Sequence, residues 1–150
     1  MKRLVLGAAA LAALAACATT PTTTQLLIGT WNCESKPAFG SIKTTTTYSP
    51  DGTGKAHLTV AGTSGALTFE AVGDADATWK LLEEDTKIEL KVNNVTVTSA
   101  KLNGNTIDPK MAQTMIGPYL AGQSATSAIK VDQKTLTLTA TDGSVTNCTR

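Results

Sequence analysis

The run Gly29-Thr30-Trp31-Asn32-Cys33 sets the organisation of this chain. It lies in the first predicted strand, Leu27 to Cys33, and it holds one of only two tryptophans in 150 residues. A second cysteine, Cys148, lies near the other end of the sequence. A contact between these two ends would place the first and last strands side by side, as in a sheet that closes on itself.

The segments that follow this run are short, and most alternate apolar with polar residues. Threonine occurs 27 times, and its β-branched side chain favours strands. Regularly spaced short strands joined by tight turns are typical of a β-barrel, and closure hides strand edges that would otherwise pair with neighbouring molecules. We therefore expect an all-β fold, a single up-and-down barrel of about eight to ten strands. Strands are predicted over 27–33, 42–49, 55–61, 66–72, 77–82, 87–92, 95–102, 126–131, 135–141 and 145–149.

The pattern also predicts turns between the strands and one irregularity within a strand. Residues 73–76 and the pair Asn93-Asn94 have turn composition, so each is expected to separate two strands. Leu102 is out of phase with Val97 in its strand, which predicts a bulge or an early strand end.

One short helix is predicted before the last three strands. Asp108 can cap a helix and Pro109 is favoured at the first helical position. Met111 and Met115 lie four residues apart and share a helical face. Gly117-Pro118 is expected to end or kink the helix.

The N-terminus resembles the signal of bacterial lipoproteins. Lys2-Arg3 precedes an uncharged stretch, Leu4 to Ala16, that is too short to span a bilayer comfortably. It ends in Leu14-Ala15-Ala16-Cys17, which matches the lipobox pattern. The resemblance implies that residues 1–16 are a signal peptide and that Cys17 carries palmitate-type acyl chains. An ordinary signal peptide, or a buried helix with a chance cysteine, is the alternative.

The same resemblance implies a location. Residue 18 is Ala, not the Asp that retains such lipoproteins in the inner membrane, so the implied site is the outer membrane, facing the periplasm. Residues 17–25 have no periodicity, and we expect an extended, Thr-rich tether. The folded domain is then 26–150.

If Cys17 carries lipid, Cys33 and Cys148 are the only possible internal pair. Exported domains fold where thiols oxidise, which predicts a Cys33–Cys148 disulfide. Two free buried thiols are the alternative.

Composition and motifs argue against several functions. Without Lys2 and Arg3 the chain has 11 basic and 12 acidic side chains, whereas nucleic-acid binding needs a clustered basic face. His57 is the only histidine, so no set of metal ligands or catalytic base is expected around it. The run 83–85 (Glu-Glu-Asp) could attract calcium, but an acidic hairpin tip is favoured. We expect no enzyme activity, no cofactor and no metal.

Gly29-Thr30-Trp31 near the start of the first strand, with Arg150 after the last, resembles the lipocalin and wider calycin group. The run Tyr48 to Gly54 is similar to bacterial lipocalin-like lipoproteins. The resemblance implies that the Gly-x-Trp motif supports the closed end of the barrel and that Arg150 packs on Trp31 in a cation–π contact.

The resemblance also implies a small apolar ligand inside the barrel. The alternative is an envelope interaction module, such as a periplasmic protease inhibitor or an assembly factor, with a filled barrel and no ligand. An open interior favours the first hypothesis and a filled one favours the second. The predicted lining residues are Leu58, Phe69, Leu81, Leu90, Met111 and Met115, and for the two methionines a plain core face of the helix is the alternative.

Overall fold

The computed structural model describes residues 20–150, apart from the side chains of residues 115, 116 and 118–120. The predicted signal peptide and Cys17 therefore lie outside the described residues. The described residues form two helices, α1 (Thr23–Leu27) and α2 (Pro109–Leu120). The strands are β1 (Gly29–Ser35), β2 (Gly40–Tyr48), β3 (Thr53–Ser64), β4 (Leu67–Leu82), β5 (Lys87–Leu102), β6 (Asn105–Ile107), β7 (Ser124–Val131), β8 (Thr135–Ala140) and β9 (Val145–Thr149).

Eight of the strands form a closed, antiparallel up-and-down barrel, as predicted. Neighbours pair in the order β4-β3-β2-β1-β9-β8-β7-β5, and the β4–β5 pairing closes the ring. Strand β6 is short and pairs only with the end of β5. Helix α2 precedes the last three strands, also as predicted.

The Gly-x-Trp motif lies at the closed end of the barrel. Trp31 is fully buried, and its indole Nε1 donates to the Leu27 carbonyl of α1 at 2.8 Å. The Arg150 guanidinium lies 4.2 Å from the Trp31 ring centroid, which confirms the predicted cation–π contact. Gly29 has φ +120°, and a Cβ there would lie 3.2 Å from the Arg150 guanidinium, so the motif needs glycine for both conformation and space.

The predicted disulfide joins Cys33 to Cys148. The two residues face each other directly in the antiparallel β1–β9 pair, with Cα atoms 3.9 Å apart. Both side chains are buried on the inner face of the barrel. The bridge therefore ties the first barrel strand to the last.

The expected turns at 73–76 and Asn93-Asn94 are wrong. Strand β4 runs through the first and β5 through the second, because the two strands pair with each other from Phe69–Leu102 to Leu82–Lys87. The register shifts twice along this pair, leaving Asn93 and Thr98 without a partner on β4. The shift at Thr98 is the bulge that the phase of Leu102 predicts. The shift at Asn93 takes the place of the turn expected at Asn93-Asn94.

Helix α1 begins where an extended tether is expected, and helix α2 does not end at Gly117-Pro118, although an end there is one of the two expected outcomes. Helix α1 begins at Thr23, inside the predicted extended tether, because Thr22 and Gln25 form a reciprocal capping box. Asp108 caps α2 as predicted, but the helix continues past Pro118 to Leu120. The Ala121 amide donates to the Gly117 carbonyl at 2.9 Å, so the helical pattern resumes beyond the proline.

The half of the barrel next to α1 is filled by side chains. This is where the turns after β2, β4 and β7 lie. Trp79 donates to the Ser49 and Thr53 carbonyls and packs edge-on against the Tyr48 ring. The largest fully buried side chains of the molecule include Trp31, Leu27, Ile88 and Leu136, and all four belong to this cluster.

Candidate functional site

The opposite half of the barrel is open and contains a cavity of about 440 Å³. We call this end the mouth. The loop from β1 to β2 and the turns after β3, β5 and β8 lie here. Strands β3, β4 and β5 are 12, 16 and 16 residues long, whereas β8 and β9 have only 6 and 5. The cavity is therefore bounded mainly by the long strands.

The lining of the cavity is apolar. No residue among those that line it carries a charge, and Ser64 is the one with a polar side chain. A group that enters this space loses its hydration without gaining an ionic partner, so the cavity suits hydrocarbon and disfavours charge. The other lining residues are Phe39, Ile42, Leu58, Val60, Phe69, Ala71, Val72, Gly73, Val95 and Val97.

The inward positions follow from strand alternation and from the bulge at Asn93. Leu58 and Val60 are two apart on β3, and their cross-strand neighbours on β4 are Gly73 and Ala71. Gly73 is buried, and a Cβ there would lie 2.5 Å from the Thr96 carbonyl oxygen, so the close approach of the β5 backbone requires glycine. The bulge at Asn93 shifts the alternation of β5 by one residue, so the inward positions change from Leu90 and Val92 to Val95 and Val97.

An aromatic pair lies at the mouth. Phe39, in the β1–β2 loop, is 41% exposed, and its ring centroid lies 6.1 Å from that of Phe69. The Phe39 carbonyl accepts from the Thr63 amide at 2.7 Å, which fixes the loop. A Cβ at Gly62 would lie 2.8 Å from the Phe69 ring and 2.9 Å from the Phe39 ring, so the pair requires glycine there.

Of the six predicted lining residues, Leu58 and Phe69 line this cavity. Leu81 and Leu90 do not: they face inward but lie lower in the barrel, packed against the filled core. Met111 is 58% exposed on α2, so it is not a lining residue either. The side chain of Met115 is outside the described part of the structure.

The sequence-based prediction of the site omits Phe39, which lies between the strands predicted over 27–33 and 42–49, and it also omits Ile42, Val60 and Val97. Alternation puts the last three on the inner face, but it gives no depth along the barrel axis. An aromatic residue between Pro37 and Gly40 was the available signal for Phe39, since turn sequences seldom carry one.

A larger depression, about 530 Å³, lies on the outer wall and is lined by polar side chains such as Asn32, Thr45 and His57. These groups already face water, so filling the depression releases little apolar surface. His57 is exposed as predicted, and its Nδ1 lies 2.8 Å from the Asp74 carboxylate. Among residues 20–150, no group of three or more His, Cys, Asp or Glu side chains could hold a metal ion.

The acidic run 83–85 forms the turn between β4 and β5, with all three residues at positive φ. Lys87 pairs with Glu83 at 2.8 Å. The run is therefore a hairpin tip, as favoured from the sequence.

In the described part of the chain, no helix is both long enough and apolar enough to cross a membrane. No protein-family model matches the sequence, and no curated protein matches it.

Proposed function

We propose that this protein is a lipid-anchored envelope protein whose lipocalin-like barrel binds a small apolar ligand. The observation that carries the proposal is the open apolar cavity at the mouth. Its volume of about 440 Å³ lies within the range of small-molecule sites, roughly 300–1,000 Å³. Binding there would be driven by release of water from apolar surface and not by charge.

The filled-barrel alternative, an interaction module without a ligand, accounts for only half of the interior. Packing around Trp31 and Tyr48 fills the end next to α1. The Leu58 and Phe69 side chains, in contrast, face open space. This division supports a rigid base below a binding compartment.

The lipid anchor is the second part of the proposal. It rests on the lipobox Leu14-Ala15-Ala16-Cys17 after a charged, apolar leader, with Ala18 pointing to the outer membrane. Intact mass spectrometry should find acyl chains on Cys17. A chain with residues 18–150 behind an ordinary signal peptide should leave the membrane pellet, and acyl-free wild-type protein would refute the anchor.

Ligand binding can be tested with two neighbouring substitutions on β3, made in the acyl-free 18–150 chain. Val60 lines the cavity and Thr59 lies on the outer wall. Val60→Phe should fill the cavity and weaken binding of the fluorescent apolar probe N-phenyl-1-naphthylamine at least about tenfold. Thr59→Phe adds the same ring outside and should leave binding unchanged.

Circular dichroism must show that both variants fold before their titrations are compared. Wild-type protein that gives no saturable fluorescence change would contradict ligand binding. If the two substitutions weakened probe binding equally, the probe would bind at a site other than the cavity.

A further inference from the structure

The large apolar side chains that are exposed all lie in the mouth half of the molecule. Elsewhere in the part of the chain that the structure describes, none is exposed. Single exposed apolar residues need no explanation, but their convergence from separate segments marks an interaction surface. They are Phe39 at 41%, Leu67 at 48%, Leu102 at 37%, Met111 at 58% and Val145 at 43% exposure. Phe39, Leu67 and Leu102 lie beside the cavity opening, and we call these three residues the rim; Met111 lies on α2, and Val145 lies on the outer wall beside Glu34 and Lys36.

The rim is continuous with the cavity on the side of β4. Phe69, which lines the cavity, pairs in register with Leu102 and contacts the Phe39 ring. Leu67 is two residues before Phe69 on the same strand. A partner seated on the rim would therefore cover the opening of the cavity.

The anchor lies at the other end. This step rests on the proposed lipidation of Cys17. Five residue steps separate Cys17 from Thr22, which caps α1 at the closed end, so the tether spans at most about 18 Å. Strand β4 runs 16 residues from Leu67 at the rim to Leu82 at the closed end. At about 3.3 Å per residue and a tilt near 40°, the rim lies about 40 Å from the closed end.

An upright anchored barrel therefore holds its rim away from its own bilayer. Two copies anchored in one membrane would stand parallel, with both rims facing away, so they could not meet rim to rim. The nearest ion pairs, Lys36–Glu34 at 3.6 Å and Lys101–Glu70 at 3.3 Å, give the mouth charges of both signs. Such a surface has no excess of positive charge to attract an anionic membrane.

From this geometry we infer that the rim docks a water-soluble protein partner, at the end of the barrel opposite the anchor. The surface of that partner has an apolar centre and a border of mixed charge, the usual anatomy of a protein interface. Because the rim leads into the cavity, the docked partner covers the ligand opening.

The test uses the full chain in its own cells, with a photoreactive benzoylphenylalanine in place of Leu67 or Leu102. The control carries the same group in place of Gln133, in the exposed turn between β7 and β8 at the closed end. We expect probes at both rim positions to cross-link to the same polypeptide, one that is not a copy of this chain. The control probe should not cross-link to it. Adding Leu102→Asp to the Leu67 probe should reduce that adduct at least fivefold, whereas Thr59→Asp on the outer wall should not.

Three results would overturn the inference: no adduct at either rim position, an adduct with a second copy of this chain, or an adduct with lipid. The orientation of the barrel relative to the bilayer is measured separately. The acylated protein carries a fluorescent residue at position 67 or 133 and is bound to vesicles whose lipids carry a quencher. Position 133 should be quenched more strongly, and equal quenching at position 67 would also overturn the inference. If the wild-type chain carries no acyl mass, the anchor fails, and the cross-links still report on the rim.

Discussion

At the scale of single residues, Trp31 and Tyr48 show how the base of the barrel is built. Both are buried, and they belong to one core cluster below the cavity. Trp31 also links β1 to α1 and to the residue that follows β9, because its indole N–H donates to the Leu27 carbonyl and the Arg150 guanidinium packs on its ring. The stability of the base therefore depends on a few large side chains.

Trp31→Ala should lower the free energy of unfolding by about 3–5 kcal/mol, as for other large-to-small changes in cores. Urea denaturation followed by circular dichroism measures this loss. Thr30→Ala, at an exposed neighbour, should stay within about 0.5 kcal/mol of wild type. A loss at Trp31 no larger than that at Thr30 would contradict a structural role for the motif.

The burial of Tyr48 should make the free energy of unfolding decrease at high pH. Burial raises the pKa of Tyr48 from 10.0 to about 12, because the phenolate would lose its hydration. Below pH 10 the phenol is neutral in both states. Between about pH 10 and 12 the unfolded state ionises first, so folding stability falls by about 1.4 kcal/mol per pH unit.

Tyr48→Phe removes this ionisation. The variant should match wild type in urea denaturation at pH 7–9 to within about 1 kcal/mol and exceed it by up to about 3 kcal/mol near pH 12. Parallel loss of stability in both proteins from pH 10 to 12 would show that Tyr48 ionises as freely when folded as when unfolded.

At the scale of elements, helix α2 covers an edge of β5 that has no strand partner. Strand β7 pairs with β5 only as far as Lys91, and β6 begins to pair at Ala100. In between, the Gln113 side-chain amide accepts from the Val97 amide at 2.7 Å and donates to the Val95 carbonyl at 2.8 Å. One side chain thus satisfies two backbone groups that a strand would otherwise pair.

Gln113→Ala should destabilise the chain by about 1–2 kcal/mol, the sum of two net hydrogen bonds. Hydrogen exchange at the Val97 amide should speed up about tenfold or more. Gln113→Glu keeps the acceptor for Val97 and should slow that exchange relative to Gln113→Ala. Lys110→Ala, at an exposed position of the same helix, should leave exchange at Val97 unchanged, and equal effects at positions 110 and 113 would contradict edge capping.

At the scale of the whole molecule, the Cys33–Cys148 bridge joins strands that are 115 residues apart in the sequence. A loop of that length removes much conformational entropy from the unfolded chain, worth about 4–5 kcal/mol in the chain-entropy treatment. The double variant Cys33→Ala/Cys148→Ala should therefore unfold at a markedly lower urea concentration than wild type.

Reductant should bring the wild type toward the double variant and leave the variant unchanged. Thiol counting on the denatured, non-reduced protein should find no free thiol at either position. An unchanged wild-type midpoint after thiol counting has confirmed reduction would contradict the stabilising role of the bridge.

The local pattern of the sequence determined several features of this protein. Period-two alternation gave the all-β class and the inward face of strands such as β3, because side chains on a strand point alternately to opposite faces. The pair Asp108-Pro109 predicted the start of α2. The phase of Leu102 predicted the bulge at Thr98 in β5. The pairing of Cys33 with Cys148 followed from the limited number of cysteines.

Only the tertiary structure decided which inward residues line open space. Leu58 and Leu90 have the same local pattern, yet one faces the cavity and the other packs against the filled core. Residues 73–76 and Asn93-Asn94 have turn composition, yet long-range pairing of β4 with β5 carries both runs through as strand. Depth along the barrel and the choice between turn and bulge depend on the register between strands distant in sequence, and a local pattern does not contain that register.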